Sequence, residues 1–201
     1  MTTLPVHGSL NWDLSLNAAL AEIDQGDPFR AADHGFISWS IDPSQAANST
    51  SLTADITMMR VNVRQPRLIS NVAAFVVTAG TGLTAGACWA GLYNSAGALA
   101  GQTADQATVW QTEGAKVMPL AAAVNATPGA YYVAFLATGT TLPTLAREGQ
   151  QTGGTDTLIN IGLSAATART ATAARTGDTL PASIDMTTRT MSKESFFVAV
   201  S

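Results

Sequence analysis

Two histidines, His7 and His34, are all the imidazole this chain has, and both lie near its N-terminus, outside the β-rich remainder. A Ser-His-Asp unit would have to be built across the N-terminal segment, which its tight geometry disfavours. Metal-ligand spacing is missing as well. The sequence has no His-x-x-x-His, no CxxC and no Asp-rich calcium loop. Asp156, Asp178 and Asp185 stand alone in turn-like contexts and read as turn caps rather than as an acid–base pair. Gly153-Gly154 lacks the Lys-Ser/Thr of a phosphate loop. The expectation is a non-enzyme with no catalytic residue, no metal and no cofactor.

Binding chemistry has more to work with. Trp89, Gly91 and Tyr93 share one face of a strand, and Cys88, Ala90 and Leu92 share the other. Rings at that spacing suit a sugar platform, but the ordinary use of such aromatics is core and interface packing. Trp110, in a loop-like stretch, and Arg147, in a long polar loop over 139–155, are the candidates for surface recognition, because loops carry recognition. Asn48-Ser49-Thr50 and Asn125-Ala126-Thr127 match the N-glycosylation pattern but read as turns. Arg169 and Arg175, six apart in the Ala/Thr-rich run 167–176, would share a strand face and read as charges on a solvated edge. Cys88 sits in an apolar strand and reads as a buried, unreactive thiol.

These groups need elements to hold them. Residues 6–24 predict a short amphipathic helix. Asn11 is placed to accept from the first-turn N–H groups, and Asp13 complements the positive end of the helix dipole. Trp12, Leu16, Ala19, Leu20 and Ile23 form one apolar stripe, and Gly26 with Pro28 ends the element. So short a helix needs a surface to lie on. Trp12, Leu16, Leu20 and Ile23 are therefore the expected anchor. The expected surface is a neighbouring subunit or a larger particle, and the alternative is the chain's own β-domain.

Beyond 33 the period changes. Stretches 34–41, 52–63, 68–78, 87–93, 98–103, 115–124, 130–138, 158–163, 180–184 and 194–200 read as strands or extended chain, with turns at Asn94-Ser95-Ala96-Gly97 and at 125–129. Segment 45–51 reads as a loop, 106–111 as a short helical turn and 165–177 as low-complexity sequence. Short strands without strand–helix alternation indicate a mainly β fold. The expected form is an antiparallel β-sandwich, jelly-roll-like with about eight strands. The expected domains are an attachment segment over 1–33 and a sandwich over 34–201.

The leader residues Gly8, Ser9, Asn11, Trp12, Asp13, Leu16, Asn17, Ala19 and Leu20, followed by a β-domain, resemble the start of tail-fibre, minor tail and head-fibre proteins of tailed bacteriophages. The runs 89–120 and 130–143 are similar to the β-domains of such proteins. The resemblance implies a virion structural protein, often trimeric, with an inner anchor and an outer β-domain. Its implied partners are other phage capsid or tail proteins and a host-surface glycan. The competing class is a free carbohydrate-binding module or glycan hydrolase.

Composition fits this expectation. Charged residues make up 12% of the 201 positions, about half the roughly 25% of an ordinary domain. So few charges leave weakly polar surface that oligomerisation would cover. The net charge of −4 without a basic cluster argues against nucleic-acid binding. No apolar run approaches the roughly 18 residues of a membrane span, and no secretory signal is visible. Synthesis in a host cytoplasm and residence in the virion are the expectation.

Overall fold

A computed structural model describes residues 30–148 and 158–201. The predicted helix and its stripe of Trp12, Leu16, Leu20 and Ile23 lie outside the described residues. The described chain opens with a 3-10 turn, Ala31–His34, closed by Gly35 in the left-handed region at φ 76°. Strand β1 (Ser38–Trp39) follows, then β2 (Asn48–Ser51), β3 (Ile56–Val63), β4 (Arg67–Thr78) and β5 (Thr81–Leu83). Next come β6 (Trp89–Asn94), β7 (Leu99–Gln102), β8 (Gly114–Ala126), β9 (Gly129–Leu136) and β10 (Gly139–Thr141). The last are β11 (Thr144–Arg147), β12 (Thr170–Ala173), β13 (Thr190–Met191) and β14 (Val198–Val200). The protein is mainly β, and every strand pairing among the described residues is antiparallel.

Two six-stranded sheets carry the fold. One runs β1-β14-β4-β11-β2, with β8 on the opposite side of β4, and the other runs β13-β12-β3-β9-β6-β7. Alternation along β4 sends Val72, Ala74 and Val76 inward, where they meet Val61, Val133, Phe135 and Leu92 of the facing sheet in one core. The ladder on β4 slips between Ile69 and Asn71, where the N–H groups of Ser70 and Asn71 both donate to the Ser201 carbonyl.

β3 pairs with β9 while β4 pairs with β8, so two adjacent strands pass from one sheet to the other as a ribbon. Pro66 and Pro128 stand at the two crossings. Proline cannot donate to a ladder, so both strands are free to turn there. The expected strands 115–124 and 130–138 with a turn at 125–129 read as one hairpin, and the structure corrects that. The two runs do flank a turn, but they belong to different sheets. The β6–β7 hairpin forms as expected. Asn94 Oδ1 accepts from Ala96 N and Ala98 N (both 3.0 Å), and Gly97 takes φ 83°.

A second apolar cluster covers the outer face of the β9 sheet. Ile56, Met58, Tyr93, Tyr132, Ala134 and Leu136 point away from the main core and are roofed by Leu180, Ile184 and Met186. Large aromatic rings bury area but carry polar tips that need partners. Here the tips hold the roof. Tyr93 Oη donates to Pro181 O (2.7 Å), Tyr132 Oη to Ala166 O (3.0 Å) and Trp89 Nε1 to Asp178 O (2.9 Å). Arg189, 4% exposed, lies 4.4 Å over the Tyr132 ring and donates to Met186 O and Ala165 O.

Several expected elements differ. Segment 158–163 begins with a 3-10 turn, Leu158–Asn160, and 180–184 is roof rather than strand. Segment 45–51 holds β2, and the long loop over 139–155 contains β10 and β11 in its described part. The low-complexity run supplies β12, which sits between β13 and β3. Arg169 and Arg175 therefore do not form a strip on an edge strand. Arg169 Nη2 donates to Ser40 O (3.1 Å), and Arg175 pairs with Asp178.

Candidate docking surface

The expected recognition residues turn inward. Trp110 sits in the 3-10 turn Val109–Gln111, pinned by its N–H to Gln106 O (3.0 Å) and by Gly80 N to its own carbonyl (2.9 Å). Its side chain is 1% exposed, edge-on to Phe135 at 5.9 Å, with Nε1 donating to Met118 Sδ at 3.2 Å. It fills core between the sheets and offers no outward contact. Neighbouring Val109 takes the exposed position instead. Arg147 also departs from expectation. Its Nε lies 3.0 Å from Glu194 Oε2, with side-chain exposures of 12% and 24%, and Nη1 donates to Glu148 O. The ion pair ties β11 to the stretch leading into β14, so the guanidinium is spent on a structural contact.

His34 packs on Trp39 at 5.5 Å between ring centroids. Asp185 Oδ1 accepts from the Thr187 hydroxyl (2.7 Å) and N–H (2.9 Å), a turn cap as expected, and these bonds hold its carboxyl below the usual range. His7 and Asp156 lie outside the described residues. Among the described residues no three His, Cys, Asp or Glu side chains gather, and no helix is long and apolar enough to cross a membrane.

Cys88 is fully buried. Its N–H donates to Asp105 Oδ1 and its thiol to Thr138 O, and burial pushes the thiol pKa up. Labelling by a thiol reagent at pH 8 is expected to run about two orders of magnitude slower in the native protein than in urea. Equal rates would show an accessible thiolate.

One broad surface stands out. The outer face of the β4 sheet presents Phe75 and Val77 from β4, with Ala73 in the same row but buried. Beside them, Val117 is paired with Ala73, and Ala115 is paired with Phe75. Phe75 is 43%, Val77 37% and Val117 59% exposed. On the other side Ala199 pairs with Ala73. Phe75, Val77, Ala146 and Phe197 then form the floor of an open groove of about 530 Å³, rimmed by Pro43, Ala46, Ala47, Asn48 and Ser49. No charged side chain lines it.

The two outer sheet faces thus differ. The face of the β9 sheet is roofed by the chain's own 180–186 stretch, whereas no described residue roofs Phe75, Val77 and Val117. An apolar face without charges offers no acid, base or nucleophile. It offers area, and fully burying a Val or Phe side chain contributes about 1.5–3 kcal/mol. Sequence alternation alone would have placed Phe75 and Val77 together on one face, but not said which face stays open.

Fold and surface together define an antiparallel β-domain with one roofed sheet face and one apolar patch, around Phe75, Val77 and Val117, that no described residue roofs. The chain matches no protein-family model and no curated protein.

Proposed function

We propose that this chain is a structural protein of a tailed-phage particle, a head or tail fibre or decoration protein. Its N-terminal segment anchors it, and an outer β-domain is displayed as a homotrimer. The observation that carries the reading is the contiguous apolar face around Phe75, Val77 and Val117, whereas the outer face of the β9 sheet is roofed by Leu180, Ile184 and Met186. Such a face is an interaction surface. The leader pattern from Gly8 to Leu20 supplies the kind of particle. In this reading the β3–β4 and β8–β9 ribbon is the winding of a jelly roll. Residues 1–33 form the helical anchor and 34–201 the sandwich. The protein acts by apolar burial, without catalysis, cofactor or nucleic acid. The partners are capsid or tail proteins, with host glycan contact left to loops other than Trp110 and Arg147.

The test is expression of the tagged full chain during infection, followed by density-gradient purification of particles. The expected result is co-migration with intact particles, lost when Trp12 and Leu16 are both replaced by Asp. Recovery only in the soluble fraction, or cleavage of a host polysaccharide by the pure chain, would overturn the reading.

A further inference from the structure

We infer that the open face of the β4 sheet is the seat of the chain's own N-terminal apolar stripe, Trp12, Leu16, Leu20 and Ile23, in the free protein. The inference deepens the proposed function, since it rests on that stripe being a docking element. It goes beyond it by naming a seat on the chain itself.

Three observations converge. First, 29 residues precede Arg30, and the described chain enters at the correct sheet. The Ala31–His34 turn leads into β1, β1 pairs with β14, and β14 pairs with β4, the strand that carries Phe75 and Val77. Two strand spacings separate β1 from β4, about 10 Å. Residues 23 to 30 reach up to about 24 Å when extended, so Ile23 can arrive over the groove. Second, the chemistry matches. The groove floor of Phe75, Val77, Ala146 and Phe197 carries no charge, and neither do the four stripe residues. Third, an amphipathic segment this short has little stability of its own in water and gains it by packing. The other sheet's outer face is already taken by Leu180, Ile184 and Met186. A stripe seated this way is sheltered until a particle surface competes for it.

The experiment is disulfide trapping in the full chain with Cys88→Ala as background. Leu16→Cys is paired with Val77→Cys. The control pairs Leu16→Cys with Thr187→Cys, which lies on an exposed turn beside the roof of the other sheet. Under mild oxidation the Leu16/Val77 pair is expected to close at least ten-fold faster than the control. A bridge within one chain places the stripe on its own sheet, and a bridge between chains places it on a neighbouring copy. The first sustains the inference and the second overturns it. Equal rates for the two pairs overturn it.

A dye measurement guards against misfolding. Leu16→Asp with Leu20→Asp should raise binding of a hydrophobic dye several-fold, and adding Phe75→Asp should abolish the rise. No rise overturns the inference. Failure here with normal particle incorporation removes only the seat on the sheet. Trapping without incorporation removes the phage reading and leaves the seat.

Discussion

Trp110→Ala is expected to lower the stability of the domain by about 3–5 kcal/mol, the range for deleting a buried Trp or Phe. The ring is 1% exposed, meets Phe135 edge-on and spends its N–H on Met118 Sδ. Its removal leaves a cavity between the sheets and takes the Trp–Phe contact, itself about 0.5–1.5 kcal/mol, with it. Urea unfolding followed by circular dichroism measures the loss directly. Trp110→Phe should recover part of it, since a smaller ring fills part of the space. A variant with unchanged unfolding midpoint but weakened adsorption to cells would instead make Trp110 a surface contact.

The second large effect is at Gly97. Its φ of +83° suits glycine, and a Cβ built there would lie 2.0 Å from the Ile184 carbonyl oxygen and 3.0 Å from Met186 Cγ. The same glycine's carbonyl accepts from Ile184 N at 2.8 Å. Gly97→Ala therefore pushes the roof off the β9 sheet at the point where it is bonded to the hairpin. The expected cost is about 3 kcal/mol, combining backbone strain with lost burial of Ile184. Gly86 supplies the comparison. It has φ +78° but nothing within 4 Å of an added Cβ. Gly86→Ala should cost only about 1–2 kcal/mol, the strain alone. Limited proteolysis gives the second readout. Gly97→Ala should expose cleavage within 178–189 while β3 and β9 stay protected. Equal effects at the two glycines would mean that the roof yields without cost.

These two positions show how unevenly the fold could be read beforehand. Alternation in 87–93 placed Cys88, Ala90 and Leu92 opposite Trp89 and Tyr93, and the structure sends those sets into two different cores. The apolar run 68–78 became β4, and the turn at Asn94-Ser95-Ala96-Gly97 closed its hairpin. Each of these signals is local. A period of two or a turn residue acts on its own neighbours, so it survives whatever the rest of the chain does. Segment 158–163 shows the opposite case. Leu158 and Ile161 are exposed while Ile159 is buried, in a run of six that looks like a strand but opens with the 3-10 turn Leu158–Asn160. A short apolar run cannot be assigned by periodicity alone. β12 was hidden for another reason. Thr170 and Ala171 are fully enclosed between neighbouring strands, yet Ala and Thr carry little strand signal of their own.

What the residues determined unaided is the mainly β character, the alternation of the longer strands, the β6–β7 hairpin, the buried thiol of Cys88 and the turn cap at Asp185. Only the tertiary structure decided that β8 and β9 part into different sheets, that Trp110 and Arg147 face inward, and that one outer sheet face is roofed while Phe75, Val77 and Val117 stay open. The physical reason is range. Backbone pattern and turn chemistry act over a few residues. Burial depends on which distant segment arrives on a face, and here the stretch 180–186 covers one sheet while no described residue covers Phe75, Val77 and Val117 on the other.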